Sequence, residues 1–466
     1  MEVIKGKKAH VLAVPFPAQG HVKPLMKLSR QIAKRGIKVT FVNIESIHEK
    51  IVASAKMAGE EEEEDNIILT SIPDGRNPED DPNDTFKLLE SLRITMPGLL
   101  TGLIERINSS NDQEKISCVI ADISIGWVLE TAREVGAEPV VFSPPSAAAL
   151  AVIFQIPKLL EEGNLDSYGT VKNGEVISLS ENIPAWRKNE LSWSFPSNLK
   201  TQKIFFECSQ RIEKTTNQYT WLLSNTCYEL EPSACNLIPN LLPIGPLLEN
   251  QNPNSSFNSC NFHPQDTSCL SWLNSKPAGS VIYVSFGSLA VFSQQQLDEL
   301  AFGLELSGRA FLWVVRPDLA NGNGSRAVFP EGYLDRVGEV GKIVEWALQE
   351  KVLSHSSIAC FLSHCGWNST TEGLSRGVPF LCWPYFSDQH HNQNYICDKW
   401  EIGLRIDPDE NGIRTRHEIK EKIDGVFFDS KLKKNALKLK EMCEKSVGEG
   451  GSSYKNFEKF IDHLRK

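Results

Sequence analysis

The sequence predicts an α/β protein with two Rossmann-like parallel-sheet domains facing across a cleft, and three observations carry that expectation. A strand, a glycine-bearing loop, an amphipathic helix and a second strand follow one another twice, far apart in the chain. At 466 residues the chain exceeds what one ordinary core organises, so two domains are expected. The stretch 249–268 is rich in Asn, Ser and Pro and has no hydrophobic period, which marks an interdomain linker. The implied division is an N-terminal domain over 1–248, the linker over 249–268, a C-terminal domain over 269–448 and a tail helix over 449–466.

The first copy opens with the apolar strand His10 to Pro15 and the loop Phe16 to His21, then a helix with Val22, Leu25, Met26, Ile32 and Ala33 at helical spacing. Gly36 ends that helix, and Ile37 to Val42 returns as a strand. A further apolar strand, Cys118 to Ala121, is closed by Asp122. The second copy has the strand Val281 to Phe286, the loop Gly287-Ser288, a helix carrying Leu297, Leu300, Ala301 and Leu304, then Gly308 and the strand Phe311 to Val315. Ile358 to Leu362 is another buried strand, ending at Ser363-His364-Cys365-Gly366. In the tail, Phe457, Phe460, Ile461 and Leu464 make one apolar helical face. Units of this kind build parallel sheets that bind ligands beyond the carboxyl ends of their strands.

Composition narrows the function classes. A net charge of −10 with no arginine-rich tract argues against nucleic acid as a partner. The acidic run Glu60 to Asp65 reads as a solvated loop. Eleven cysteines are odd in number and scattered, with Cys118, Cys360 and Cys382 inside apolar runs and no CxxC pair, which fits reduced core residues of a cytoplasmic protein. No run approaches the roughly 18 apolar residues of a membrane span, so no integral membrane association is expected. The apolar stretch near the N-terminus carries Pro15 and is followed by Pro17 and a glycine loop, unlike a signal peptide. A glycosylation sequon at Asn368 would also be hazardous in a secretory compartment.

The most informative stretch runs from Trp346 to Gln389. Gly366 lets the backbone turn and approach a ligand closely, and a helix start beside His364, Asn368 and Ser369 would hold a diphosphate without a metal. Glu372 can accept ribose hydroxyls, and Asp388-Gln389 offers the acceptors and donors a pyranose needs. Ser369-Thr-Thr-Glu372 also matches a helix capping box, which would make both residues structural.

This box resembles, over its full length, the signature of plant family 1 UDP-glycosyltransferases. The resemblance implies the GT-B fold and the following roles. Trp346 stacks on uracil and the backbone of Ala347 pairs with it. Gln349 and Glu372 hold the ribose. His364, Asn368 and Ser369 bind the phosphates, and Trp367, Asp388 and Gln389 face the sugar. The family usually carries proline where this chain has Leu348, which leaves the local turn less rigid. A closing Gln in this family goes with UDP-glucose, so Gln389 implies UDP-glucose as donor co-substrate, with no other cofactor. The tail helix is implied to cross back onto the first domain, although its apolar face is equally consistent with packing on its own. The family's animal relatives carry a C-terminal membrane anchor, whereas this chain ends in polar residues.

Sugar transfer needs a base for the acceptor hydroxyl and stabilisation of the departing diphosphate. His21, in the motif PFPAQGH after the first strand, is the candidate base, and Asp122 is placed to fix its tautomer. Both match the family's catalytic positions. Ser285 and Ser288, in SFGS, have a diphosphate role by resemblance or form a tight turn with a helix cap. Asp407-Pro-Asp409 reads as a polar turn, and no metal is expected. The expected reaction is a direct inverting displacement giving a β-glucoside of a flavonoid, phenol or terpenoid, carried out by a monomer. Ile123, Trp127, Phe142, Ile183, Trp186, Trp193 and Phe195 could line the acceptor pocket or belong to the core. A sugar-nucleotide epimerase or phosphorylase would need a carboxylate pair or a pyridoxal lysine, neither of which stands out. A non-catalytic sensor would be expected to lack the base.

Overall fold

The computed structural model describes residues 9–58, 66–77, 79–80, 84–110, 114–195, 198–248, 262, 266, 268–317, 319 and 327–466. The acidic run 60–65 lies outside the described residues, as does all of the stretch 249–268 except Phe262, Asp266 and Ser268.

Among the described residues nine strands precede that stretch: β1 (His10–Val14), β2 (Lys38–Ile44), β3 (Ile67–Ile72), β4 (Cys118–Asp122), β5 (Glu138–Ser143), β6 (Val176–Ile177), β7 (Trp186–Arg187), β8 (Trp221–Ser224) and β9 (Leu241–Pro243). Seven of them form one sheet in the order β3-β2-β1-β4-β5-β8-β9, while β6 and β7 pair apart as a small antiparallel ribbon. Every pairing in the large sheet is parallel. The six strands that follow are β10 (Val281–Ser285), β11 (Ala310–Val314), β12 (Gly341–Val344), β13 (Ile358–Ser363), β14 (Phe380–Cys382) and β15 (Gly403–Arg405). They make a second all-parallel sheet in the order β12-β11-β10-β13-β14-β15.

The central strands β1, β4 and β10 are buried at every position, which is why they read as continuous apolar runs rather than alternating ones. In each sheet the strand order reverses direction at one place, between β1 and β4 and between β10 and β13. A crevice opens beyond the carboxyl ends at such a reversal. At the first reversal Asp122 ends β4 and His21 lies beyond β1; at the second Ser285 ends β10 and His364 directly follows β13.

Two element starts differ from the sequence reading. Ala18 takes an extended conformation and its carbonyl accepts from both His21 and Val22, so the first helix begins at Gln19 and His21 stands in its first turn, not in a loop. Gly20 disguises this start because glycine usually marks a turn, yet it costs little where first-turn N–H groups have no intrahelical acceptor. In the second copy the loop after β10 is longer than expected, and Ser293 caps a helix that starts at Gln294. Gly308 ends that helix in the left-handed conformation, at φ 62°.

The tail helix Ser452–Leu464 lies against the first sheet. Ser453 Oγ donates to the Gly245 carbonyl (2.7 Å), Asn456 Nδ2 donates to Pro243 (2.8 Å), and Phe460 meets the Trp221 ring edge-on. Among the described residues no helix is long and apolar enough to cross a membrane.

Candidate active site

At the first reversal, His21 Nδ1–H donates to Asp122 Oδ2 over 2.8 Å. Asp122 is fully buried, and its other oxygen accepts from the Ser124 main chain (2.8 Å), so the carboxylate is held at both ends. An acceptor-only carboxylate on Nδ1 leaves Nε2 with its lone pair. The imidazole is 28% exposed and meets the edge of Phe16. Burial pulls its pKa down, but the charge and hydrogen bond of Asp122 and the charge of Asp388 outweigh this, and the net shift is upward.

At the second reversal, β13 leads through His364 and Cys365 into the helix Trp367–Ser375. Cys365 is left-handed at φ 63°, which costs a non-glycine residue roughly 1–2 kcal/mol. The conformation is held because the Cys365 N–H donates to Ser363 Oγ (3.1 Å) and its carbonyl accepts from Asn392 Nδ2 (2.9 Å). Gly366 is the N-cap and has no side chain to cap with, so the main-chain N–H groups of Trp367, Asn368 and Ser369 form an uncapped positive end. Ser369 therefore sits inside the helix, and the Ser369–Glu372 spacing is not a capping box.

His364 lies between Gly287 and Gly366. A Cβ at either glycine would come within 2.7 Å or 2.5 Å of His364 Nε2. Burial is the main cause that lowers the His364 pKa to about 4; the nearby Ser285 main chain opposes it and the Arg316 charge adds to it. His364 is thus neutral at pH 7 and offers a hydrogen bond, leaving the charge of a diphosphate to the helix end. Ser285 pairs with Ser363 across β10 and β13, and the Ser288 carbonyl accepts from buried Arg316 (2.5 Å).

Gln349 Nε2 donates to Ser369 Oγ (2.9 Å) and to Glu372 Oε2 (2.8 Å), while its Oε1 accepts from Tyr283 (3.2 Å). Leu348, just before it, has φ −69°, close to the value a proline ring would impose, so the turn keeps its form without the ring. Trp346 is half-buried after β12, with its carbonyl taking the Asp266 N–H (3.0 Å), and Ala347 is buried beside it.

Three further residues are placed differently from a simple ligand shell. The Trp367 indole is buried and donates Nε1–H to the Asn225 carbonyl (2.8 Å), so what it turns toward a ligand is its main-chain N–H. Asn368 Nδ2 donates to the Gly20 carbonyl (2.8 Å), tying the helix start directly to the residue before His21. Gln389 Oε1 accepts from the Tyr385 and Phe386 main chains (2.8 and 3.1 Å), which leaves the amide a donor only. Asp388 Oδ2 accepts from Asn392 Nδ2 (3.0 Å), and burial raises the Asp388 pKa.

The helix Gln389–Asn394 is fixed against the small β6–β7 ribbon by a buried stack of His391 on Trp186, with ring centroids 3.7 Å apart and 9° between planes. Burial drives the His391 pKa down to about 3, which keeps the ring neutral for that contact. Trp186, Trp193 and Phe142 are thereby core or interface residues rather than open pocket lining. Asp409 Oδ1 accepts from the Asn411 and Ile413 main chains (2.9 and 2.8 Å), closing the polar turn expected for Asp407-Pro-Asp409.

Sequence reasoning missed a buried cluster between the two units. Lys23 Nζ donates to Glu372 Oε1 (3.1 Å), Lys27 Nζ reaches the same oxygen (3.3 Å) and also Glu350, and Arg376 stands 3.6 Å from Glu350. Two lysines one turn apart in the first helix carried no visible partner, because Glu350 and Glu372 come from the far half of the chain.

Two reversal-point crevices, one bearing a His–Asp pair and the other an uncapped helix end, define a sugar-nucleotide transferase built on two parallel sheets. A family model described as UDP-glucoronosyl and UDP-glucosyl transferase matches residues 22–446, and the chain belongs to that family as a plant family 1 UDP-glycosyltransferase. It is similar to UDP-glycosyltransferase 83A1 of Arabidopsis thaliana, 42% identical over 98% of this chain and 97% of that one. It is also similar to 7-deoxyloganetin glucosyltransferase of Catharanthus roseus, 33% identical over 98% and 97% of the two chains. The crystal structure of Os79 from O. sativa in complex with UDP superposes with a TM-score of 0.80 at 25% identity, covering 97% of this chain and all of that one. The protein is accordingly an enzyme that transfers sugar from a UDP-sugar to small plant metabolites, on the GT-B fold.

Proposed function

We propose that the enzyme transfers glucose from UDP-glucose to a hydroxyl or carboxyl group of a small lipophilic metabolite such as a phenol, flavonoid or terpenoid alcohol, with inversion and without a metal. The observation that carries this reading is the hydrogen bond from Asn368 to Gly20, which sets the helix end for the diphosphate beside the His21–Asp122 pair. In this reading residues 1–248 hold the acceptor, 269–448 hold the donor, 249–268 link them, and 449–466 brace the first domain. The glucosyltransferase name of the Catharanthus relative supports glucose as the sugar transferred. All the residues invoked belong to one chain, so a monomer suffices.

The chemistry follows from the protonation states. Neutral His21 takes the acceptor proton on Nε2 as the acceptor oxygen attacks the anomeric carbon, and Asp122 stabilises the imidazolium that forms. The bond to UDP breaks on the opposite face. The leaving diphosphate is met by the N–H groups of Trp367, Asn368 and Ser369, with a neutral hydrogen bond from His364. Trp346 and Ala347 would hold uracil, Gln349 and Glu372 the ribose, and Ser285 and Ser288 line the phosphate side.

Donor choice is assigned to Asp388, which accepts from sugar hydroxyls, and to the Gln389 amide, which donates. Losing such a contact costs about 1–3 kcal/mol, or roughly tenfold to a hundredfold. Gln389→Ala is expected to lower kcat/KM for UDP-glucose by that factor while UDP binds as before. With one accepted aglycone and equal donor concentrations, the wild type should prefer UDP-glucose to UDP-galactose. A preference for UDP-galactose, or unchanged glucose kinetics in Gln389→Ala, would remove this pair from donor selection.

A further inference from the structure

We propose that Lys23 and Lys27, on the helix that carries His21, are positioning residues for the nucleotide: they orient the Glu372 carboxylate that receives the ribose diol and so couple donor recognition to the catalytic helix. The proposal rests on the ribose role assigned to Glu372 above.

The sequence places two like charges at positions i and i+4 of one helix, an arrangement that destabilises a helix on its own. Both lysines are also largely withdrawn from water, at 17% and 6% exposure. Two buried carboxylates from the other unit, Glu350 and Glu372, offset that repulsion and desolvation. Both lysines reach both carboxylates, but Lys27 hydrogen-bonds Glu350 whereas Lys23 stands 3.8 Å from it, and Arg376 approaches Glu350 from the second unit's own side. Glu350 thus anchors Lys27, and Lys27 in turn aims at Glu372.

At Glu372 itself, Oε1 accepts from Lys23 and Lys27, and Oε2 accepts from Gln349. A carboxylate has about four acceptor directions, so three of them are already specified by donors from two helices, one in each unit. Gln349 is fixed independently by Tyr283 and Ser369. The carboxylate therefore cannot rotate freely, and the direction left for a ribose hydroxyl is set by the lysines on one side and the amide on the other. Burial alone would favour a protonated Glu372; the two lysine charges reverse this and hold its pKa down to about 2, keeping it an acceptor. Lys23 and Lys27 lie two and six residues after His21 on the same helix, so a nucleotide held through Glu372 is registered against the base.

The test compares the affinity of UDP with that of 2′,3′-dideoxy-UDP by calorimetry. The wild type should favour UDP by roughly tenfold or more, the worth of hydrogen bonds to a charged acceptor. Lys27→Met is expected to erase most of that preference, and Lys27→Arg, which keeps the charge, to retain it. Lys23→Met provides the same comparison should Lys27→Met fail to fold. If the lysines only fasten the two units together, both nucleotides will weaken in parallel and the preference will survive. That result, alongside a Glu372→Gln enzyme that has lost the preference, overturns the positioning role while leaving the ribose role of Glu372 intact. A Glu372→Gln enzyme that keeps the full preference overturns the ribose role, and this proposal with it.

Discussion

His21→Ala is expected to lower turnover by about 10²–10⁴ while the affinity for UDP stays near that of the wild type. The two quantities separate because the imidazole acts on the acceptor and its hydrogen bond goes to Asp122 rather than to the helix end where the diphosphate belongs. Asp122→Asn should also cut turnover with little change in UDP affinity, since an amide no longer fixes the Nδ1–H tautomer or stabilises the imidazolium. The pH profile supplies a further check. The base must be neutral, and its pKa is raised, so activity should fall on the acid side at a pH above the ordinary histidine value. Removing the Asp122 charge should move that limb to lower pH. A His21→Ala enzyme that turns over within about tenfold of wild type would mean that another group is the base.

Gly366→Ala is expected to weaken UDP binding by about tenfold to a hundredfold with only a small change in Tm. The backbone at Gly366 has ordinary angles, φ −60° and ψ 144°, so alanine brings no backbone strain. Its methyl carbon would nevertheless lie 2.5 Å from His364 Nε2, and the imidazole must swing away from the helix start. The substitution therefore displaces one phosphate contact without disturbing the core. Calorimetry with UDP and a thermal melt distinguish the two effects. UDP affinity equal to wild type would show that His364 does not meet the phosphates.

Much of this site could be read in the chain because its residues cluster at strand ends. The apolar runs of β1, β4, β10 and β13 are continuous since both faces are covered, and each site residue stands at or beyond the carboxyl end of its strand. The Trp346–Gln389 frame was legible for the same reason: one strand, one helix and one loop carry most of it. What stayed hidden depends on pairings between distant segments. Nothing local to Trp367 announces that its indole is spent on Asn225, or that Asn368 reaches Gly20. The Gln389 oxygen turns back onto its own loop, a detail invisible in residue type. Lys23, Lys27, Glu350 and Glu372 likewise become a cluster only when the two sheets meet.

The most direct test of the account is a single transfer assay: the purified enzyme, exhaustively treated with EDTA, is incubated with UDP-glucose and a panel of phenols, terpenoid alcohols and small acids. Product mass reports transfer, and the anomeric proton coupling in the NMR spectrum reports stereochemistry. A metal-independent inverting transfer gives a hexoside of at least one acceptor, formed at nearly the untreated rate and in the β configuration. An α-glucoside, or activity that returns only on adding Mg²⁺ or Mn²⁺, would contradict it.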